Sequence, residues 1–178
     1  MYLPYPDQLE SPRLRTRFVT PADQVPWADF FKDPEAVALF PDAGSASYAE
    51  RAERWIERQL TRYREGRFGM QVLLEKTTGA FVGQCGLLAQ EVDGVAELEV
   101  GYHVFRKYWG QGYAPEAARL FIDLAFSRYL ADSVISIIDV RNVNSQRVAE
   151  KNGLQREKQT RWSDLDVYIY RIERPHWK

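Results

Sequence analysis

The stretch YWGQGYAPEAARLF, residues 108–121, sets two glycines two apart, Gly110 and Gly112, directly ahead of an apolar-rich helix. A strand-like segment, VAELEVGYHVF (95–105), runs into it. A strand that turns through glycines into a helix presents backbone N–H groups with no intrahelical acceptor, and the helix dipole adds positive potential there. That arrangement suits a phosphate or diphosphate, and glycine lets an anion approach the main chain closely. Gly-x-Gly alone fits a plain strand-to-helix turn equally well. A Walker loop would continue Gly-Lys-Ser/Thr, whereas Gly112 is followed by Tyr113 and Ala114. A Rossmann fingerprint would need a third small residue where Pro115 stands, at the head of a run of βα repeats.

Working outward, three strand-like segments lead up to the loop: FGMQVLLEK (68–76), AFVGQCGLLAQEV (80–92) and the 95–105 segment. Turns at Thr78-Gly79 and Asp93-Gly94 join them into an antiparallel meander. Gly83 and Gly86 mark a bulge or a close backbone approach in the middle strand. Ahead of the meander, RLRTRFVT (13–20) alternates as a first strand and Thr20-Pro21 starts a helix. Asp33-Pro34 starts a short helix over PEAVALF (34–40), and Ser47 with Glu50 forms a capping box for a helix over about 48–64.

Beyond the loop, the apolar face of residues 115–129 predicts a helix, and the β-branched run VISIIDV (134–140) predicts a strand covered on both faces. Residues 102–140 therefore form a right-handed parallel crossover. A helix over 145–153 ends at Gly153, and strands 155–162 and 167–174 flank a Ser163-Asp164 turn. The expected fold class is α/β (α+β), in one domain spanning residues 1–178, with residues 1–10 as a loosely ordered extension.

Composition narrows the setting. The chain has 178 residues, enough to bury one core, and 24 basic against 25 acidic side chains. Such a balance gives no net field toward nucleic acid or a membrane. No apolar run nears the ~18 residues of a membrane span, and MYLPYPDQLE lacks the form of a secretory signal. Cys85 is the sole cysteine, so a reducing cytoplasm is the expected home. Two histidines and one cysteine far apart give no metal-ligand spacing, and no metal is expected. Oligomeric state is left as monomer or homodimer.

The residues 109–114, Trp-Gly-Gln-Gly-Tyr-Ala, resemble motif A of the GNAT acyltransferase superfamily, with Trp109 where Gln or Arg is usual. The longer run EVGYHVFRKYWGQGYAPEAARLF is similar to the RimJ/RimL-like branch, as is NVNSQRVAEKNGL (142–154), in which Leu154 replaces the usual Phe. The resemblance implies a mixed sheet of about seven strands, helices on both faces and a splayed fourth and fifth strand. It implies acetyl-CoA as cosubstrate, its pantetheine arm pairing with main chain near Tyr102 and Val104. The pyrophosphate would lie on the amides of Trp109, Gly110, Gln111, Gly112, Tyr113 and Ala114. Asn142 would hold the arm or fix the strand-to-helix turn, and Asn144 would cap the helix.

The implied reaction moves an acetyl group directly to a primary amine, a protein N-terminal α-amine being one acceptor. The alternatives are a silent acyl-CoA sensor and a transferase for small amines such as antibiotics, polyamines or amino acids. Such chemistry needs a neutral amine, a polarised carbonyl and a proton for the thiolate. Glu99, ahead of Glu97, is the candidate base on the fourth strand. Both also read as charged residues of a half-solvated strand. Ser145 matches the position that would protonate the thiolate, and reads equally as a hydroxyl bonding local backbone at a helix start. Trp27, Tyr48, Trp55 and Tyr63 could wall the acceptor side or belong to the core. Asp139 and His103 read as structural, and Cys85 as a buried hydrophobe.

Overall fold

The computed structural model describes residues 6–40 and 46–178. Four strands open the sheet: β1 (Leu14–Phe18), β2 (Met70–Glu75), β3 (Phe81–Val92) and β4 (Val95–Val104). Each pairs antiparallel with the next, as the meander predicts. Between β1 and β2 lie α1 (Gln24–Lys32), α2 (Pro34–Val37) and α3 (Tyr48–Arg64). Ser47 caps α3 through the expected box, its hydroxyl accepting from the Glu50 N–H while Glu50 reaches back to the Ser47 N–H. After β4 come α4 (Tyr113–Ser127), β5 (Ser133–Asp139), α5 (Val143–Lys151), β6 (Gln155–Trp162) and β7 (Leu165–Glu173). The seven strands form one mixed sheet ordered β1-β2-β3-β4-β5-β7-β6, with β4 and β5 parallel.

Side-chain alternation puts buried core on both faces of the sheet. Leu98, Val100 and Val104 of β4 point to the face covered by α4 and α5, where Phe121, Ile122 and Ala149 are buried. The opposite face meets α1 and α3 through Trp27, Phe30, Phe31, Trp55 and Ile56. Trp27, Trp55 and Tyr63 are therefore core, while Tyr48 stands exposed. Cys85 is buried as expected, and burial pushes its thiol pKa up.

Both ends of α4 and the cap of α5 are among the boundaries that differ from the sequence reading. Helix α4 starts at Tyr113, so Pro115 is its third residue; a first-turn proline removes no intrahelical bond, and the start could slide past it. It ends at Ser127 because Tyr129 takes a left-handed φ of 55°, with Leu130 N–H bonding Ala125 O and Tyr129 N–H bonding Phe126 O. That is a Schellman ending without the glycine that usually announces it. The cap of α5 is Asn142, whose Oδ1 accepts from the Ser145 N–H at 3.1 Å, and not Asn144.

The extension expected over residues 1–10 is anchored from Pro6 onward. Gln71 donates to Pro6 O, Phe18 N–H to Asp7, and Leu9 N–H to Thr16. Residues 1–5 lie outside the described residues. Among the described residues no helix is long and apolar enough to cross a membrane.

Candidate active site

The site grows from a break in the sheet. Strands β4 and β5 pair at one position, Glu99 opposite Ile135, and no further toward the β4 C-terminus. Phe105 N–H bonds Val82 O across β3, so odd residues of β4 turn their main-chain groups toward β3. The even residues, Val100, Tyr102 and Val104, turn theirs toward β5 and the gap. Ser136 of β5 bridges the start of the gap, its hydroxyl donating to Val100 O at 3.0 Å. Tyr102 thus offers an N–H and a C=O to the opening, the edge that the sequence reading assigns to a pantetheine arm. The Val104 carbonyl is already engaged: the Trp109 indole N–H donates to it at 2.8 Å. That leaves the Val104 N–H and both main-chain groups of Tyr102 facing the gap.

The glycine loop closes one end of this opening. Gly110 and Gly112 have φ of 74° and 82°, a left-handed conformation that costs a residue with a Cβ about 1–2 kcal/mol. The Trp109 N–H is spent on Arg106 O. The N–H groups of Gly110, Gln111, Gly112, Tyr113 and Ala114 donate to no acceptor among the described residues, and no side chain caps α4. These five amides at a helix N-terminus fit a diphosphate. The Gln111 side chain stiffens the turn by donating to Lys107 O at 3.0 Å.

Glu99 lies where the pairing stops, on the α1/α3 face, and is 9% exposed. It accepts from the Gln90 side-chain amide at 2.7 Å and from the Ile137 N–H, which the divergence of the strands frees from sheet pairing. Burial raises its carboxyl pKa, outweighing these two donors and the charge of Arg62, which pull it down. Glu97, two residues earlier, is committed elsewhere: Arg171 grips both its oxygens at 2.6 and 3.0 Å, and both partners are largely buried. The alternation that puts the two glutamates on one face therefore leaves only Glu99 at the gap.

On the α4/α5 face, the Tyr102 hydroxyl donates to Ser145 O at 3.0 Å and fixes the start of α5 against β4. The Ser145 N–H is held by Asn142, so cap and strand together fix the Ser145 main chain at the start of α5. Asp139 is structural, paired with Arg141 at 2.7 Å. His103 packs against Phe30, Phe40 and Trp55 with ring centroids 5.0–5.8 Å away. Burial lowers its pKa to about 4, so it is neutral at physiological pH.

Ser136, Gln90 and Arg13 escaped the sequence reading. Arg13 meets the glycine loop from 98 residues away, Gln90 reaches Glu99 across a strand pair, and Ser136 looks like any strand serine. Long-range placement gave them no local signal. Among the described residues no group of His, Cys, Asp and Glu could hold a metal ion.

Residues 13–155 match the family model described as acetyltransferase (GNAT) domain. YkkB of Bacillus subtilis (strain 168) is 30% identical over 166 residues, covering 92% of this chain and 94% of that protein. The acetyltransferase from Agrobacterium tumefaciens str. C58 superposes with a TM-score of 0.79 at 24% identity, covering 97% of each chain. Mycobacterium smegmatis RimJ, solved in complex with CoA-disulfide, gives a TM-score of 0.78 at 19% identity, with 97% of this chain and 90% of that one covered.

Proposed function

From the premise that the chain belongs to the GNAT acetyltransferase family and is an N-acetyltransferase, we propose that it sits in the RimJ/RimL-like branch and transfers acetyl from acetyl-CoA directly to the α-amine of a peptide or protein N-terminus. The observation that carries this is the gap itself. It has an unpaired strand edge along it, five unspent amides at one end and a buried carboxylate where it begins.

In this reading the diphosphate rests on the amides of Gly110 to Ala114, and the pantetheine arm pairs with Tyr102 and the Val104 N–H. Asn142 holds the wall of the gap by fixing the turn into α5. A β4 N–H facing the gap polarises the thioester carbonyl. The amine nitrogen attacks that carbon while Glu99 takes its proton, directly or through a water. The C–S bond then breaks, and the thiolate receives a proton from the Ser145 hydroxyl, which recovers one from solvent.

The acceptor class follows from proton affinity. At pH 7.5 about a quarter of α-amines near pKa 8 are neutral, against about one lysine in a thousand near 10.4. A carboxylate base suffices for the first far better than for the second.

Thiol release should be followed with acetyl-CoA and three acceptor sets: peptides with a free N-terminus, N-terminally blocked peptides carrying lysine, and small amines. Turnover on the first set is expected. Turnover confined to small amines would reassign the acceptor. CoA binding without turnover on any set would make the protein a coenzyme-binding module.

A further inference from the structure

We propose that Arg13, just ahead of β1, is the positioning residue of the diphosphate loop. It rests on the coenzyme reading above and adds a part of the chain that the glycine motif does not contain. The Arg13 Nη1 donates to Gln111 O at 2.9 Å, and its Nε donates to Glu116 Oε2 at 2.7 Å. Its own main-chain N–H donates to Glu116 Oε1 at 2.8 Å. The guanidinium lies over the Tyr113 ring, 4.4 Å from its centroid. A Cβ built on Gly112 would stand 3.3 Å from Nη2. One side chain thus touches the carbonyl of Gln111, the space beside Gly112, the ring of Tyr113 and the carboxylate of Glu116.

Two consequences follow from elementary geometry and charge. Across a trans peptide the carbonyl of Gln111 and the N–H of Gly112 point in opposite directions. Holding that oxygen from behind therefore aims the amide into the hollow of the loop. Glu116 is the acidic residue of the first turn of α4. Its charge favours the helix but opposes a diphosphate bound at the same end. Arg13 and the Ser11 hydroxyl, at 2.7 Å, neutralise and tether it. The fork of a guanidinium can hold the carbonyl and the carboxylate together, which a lysine ammonium at the end of a flexible stem does not reproduce.

The test compares wild type, Arg13→Met and Arg13→Lys for binding of CoA, inorganic pyrophosphate and pantetheine, and for KM and kcat with acetyl-CoA. We expect Arg13→Met to bind CoA and pyrophosphate about tenfold more weakly, the scale of one charge-assisted contact. Its acetyl-CoA KM should rise with kcat nearly unchanged, and pantetheine, which has no phosphate, should bind as before. Arg13→Lys should recover less than half of the loss.

Unchanged CoA and pyrophosphate binding in Arg13→Met would overturn the proposal. So would a loss shared equally by pantetheine, which marks a general structural role, or full recovery by lysine. If wild type bound pyrophosphate but not CoA, the coenzyme reading would fall and Arg13 would be judged on pyrophosphate alone. If wild type bound neither, both would fall.

Discussion

Glu99 is under two opposed demands: a base must be ionised to accept a proton, and burial resists the charge. The two donors on it, Gln90 and the Ile137 N–H, offset part of the desolvation without removing its effect. Because its folded pKa lies above the ordinary 4.5, the folded chain keeps a proton that the unfolded chain loses between those values. Wild-type stability should therefore decline as pH climbs through that window, and activity should rise across the same window. Glu99→Gln should lower kcat/KM by about 10²–10⁴ and flatten both dependences. Denaturant titrations and pH–rate profiles of the two proteins check this, and a variant with wild-type turnover would remove Glu99 from the mechanism. The resemblance narrowed the base to the fourth strand, and strand alternation put its two glutamates, Glu97 and Glu99, on one face. The preference for Glu99 had no local signal to support it; what separates the two in the fold is Arg171, which comes from β7 and engages Glu97.

At the scale of elements, the strand-loop-helix unit was the most legible part of the chain. Glycine spacing, a following proline and an apolar helix face are local signals, and they located the left-handed turn correctly. Local signals misled where another residue did an unusual job. Tyr129 took the left-handed ending expected of glycine, and Asn142 took the cap expected of Asn144. Gly112→Ala tests the turn. With φ at 82° and Arg13 only 3.3 Å from the added carbon, it should cost about 1–2 kcal/mol of stability. Thermal unfolding measures that cost. Steady-state kinetics should show the acetyl-CoA KM raised several-fold and kcat close to wild type.

Over the whole molecule, the antiparallel meander and the parallel β4–β5 crossover followed from element type and sequence order. The seven-strand sheet with helices on both faces was implied by the resemblance. The splay between β4 and β5 was expected only through resemblance. Nothing in VISIIDV reports that its second half faces a gap, since a strand covered on both faces has the same apolar composition whether or not its edge is paired. A ligand that binds this gap in the folded state alone stabilises that state. CoA at a hundred times its dissociation constant contributes about 2.7 kcal/mol, which for a chain of this size raises the midpoint by roughly 5–10 °C. Differential scanning fluorimetry with CoA measures the shift, and a flat response at saturating CoA would argue against binding.

Gly83 is paired with Val104 on the rim of the gap, and a Cβ there would fall 2.2 Å from the carbonyl oxygen of His103 and 2.8 Å from the α-carbon of Val104. The middle strand and the strand beside the opening are thus pressed together more tightly here than any side chain permits. Enlarging this residue would shove the rim of the cleft outward and misalign the rungs awaiting the coenzyme. A loss of turnover from such a change would be mechanical in origin, transmitted through the sheet from a position with no reactive group of its own.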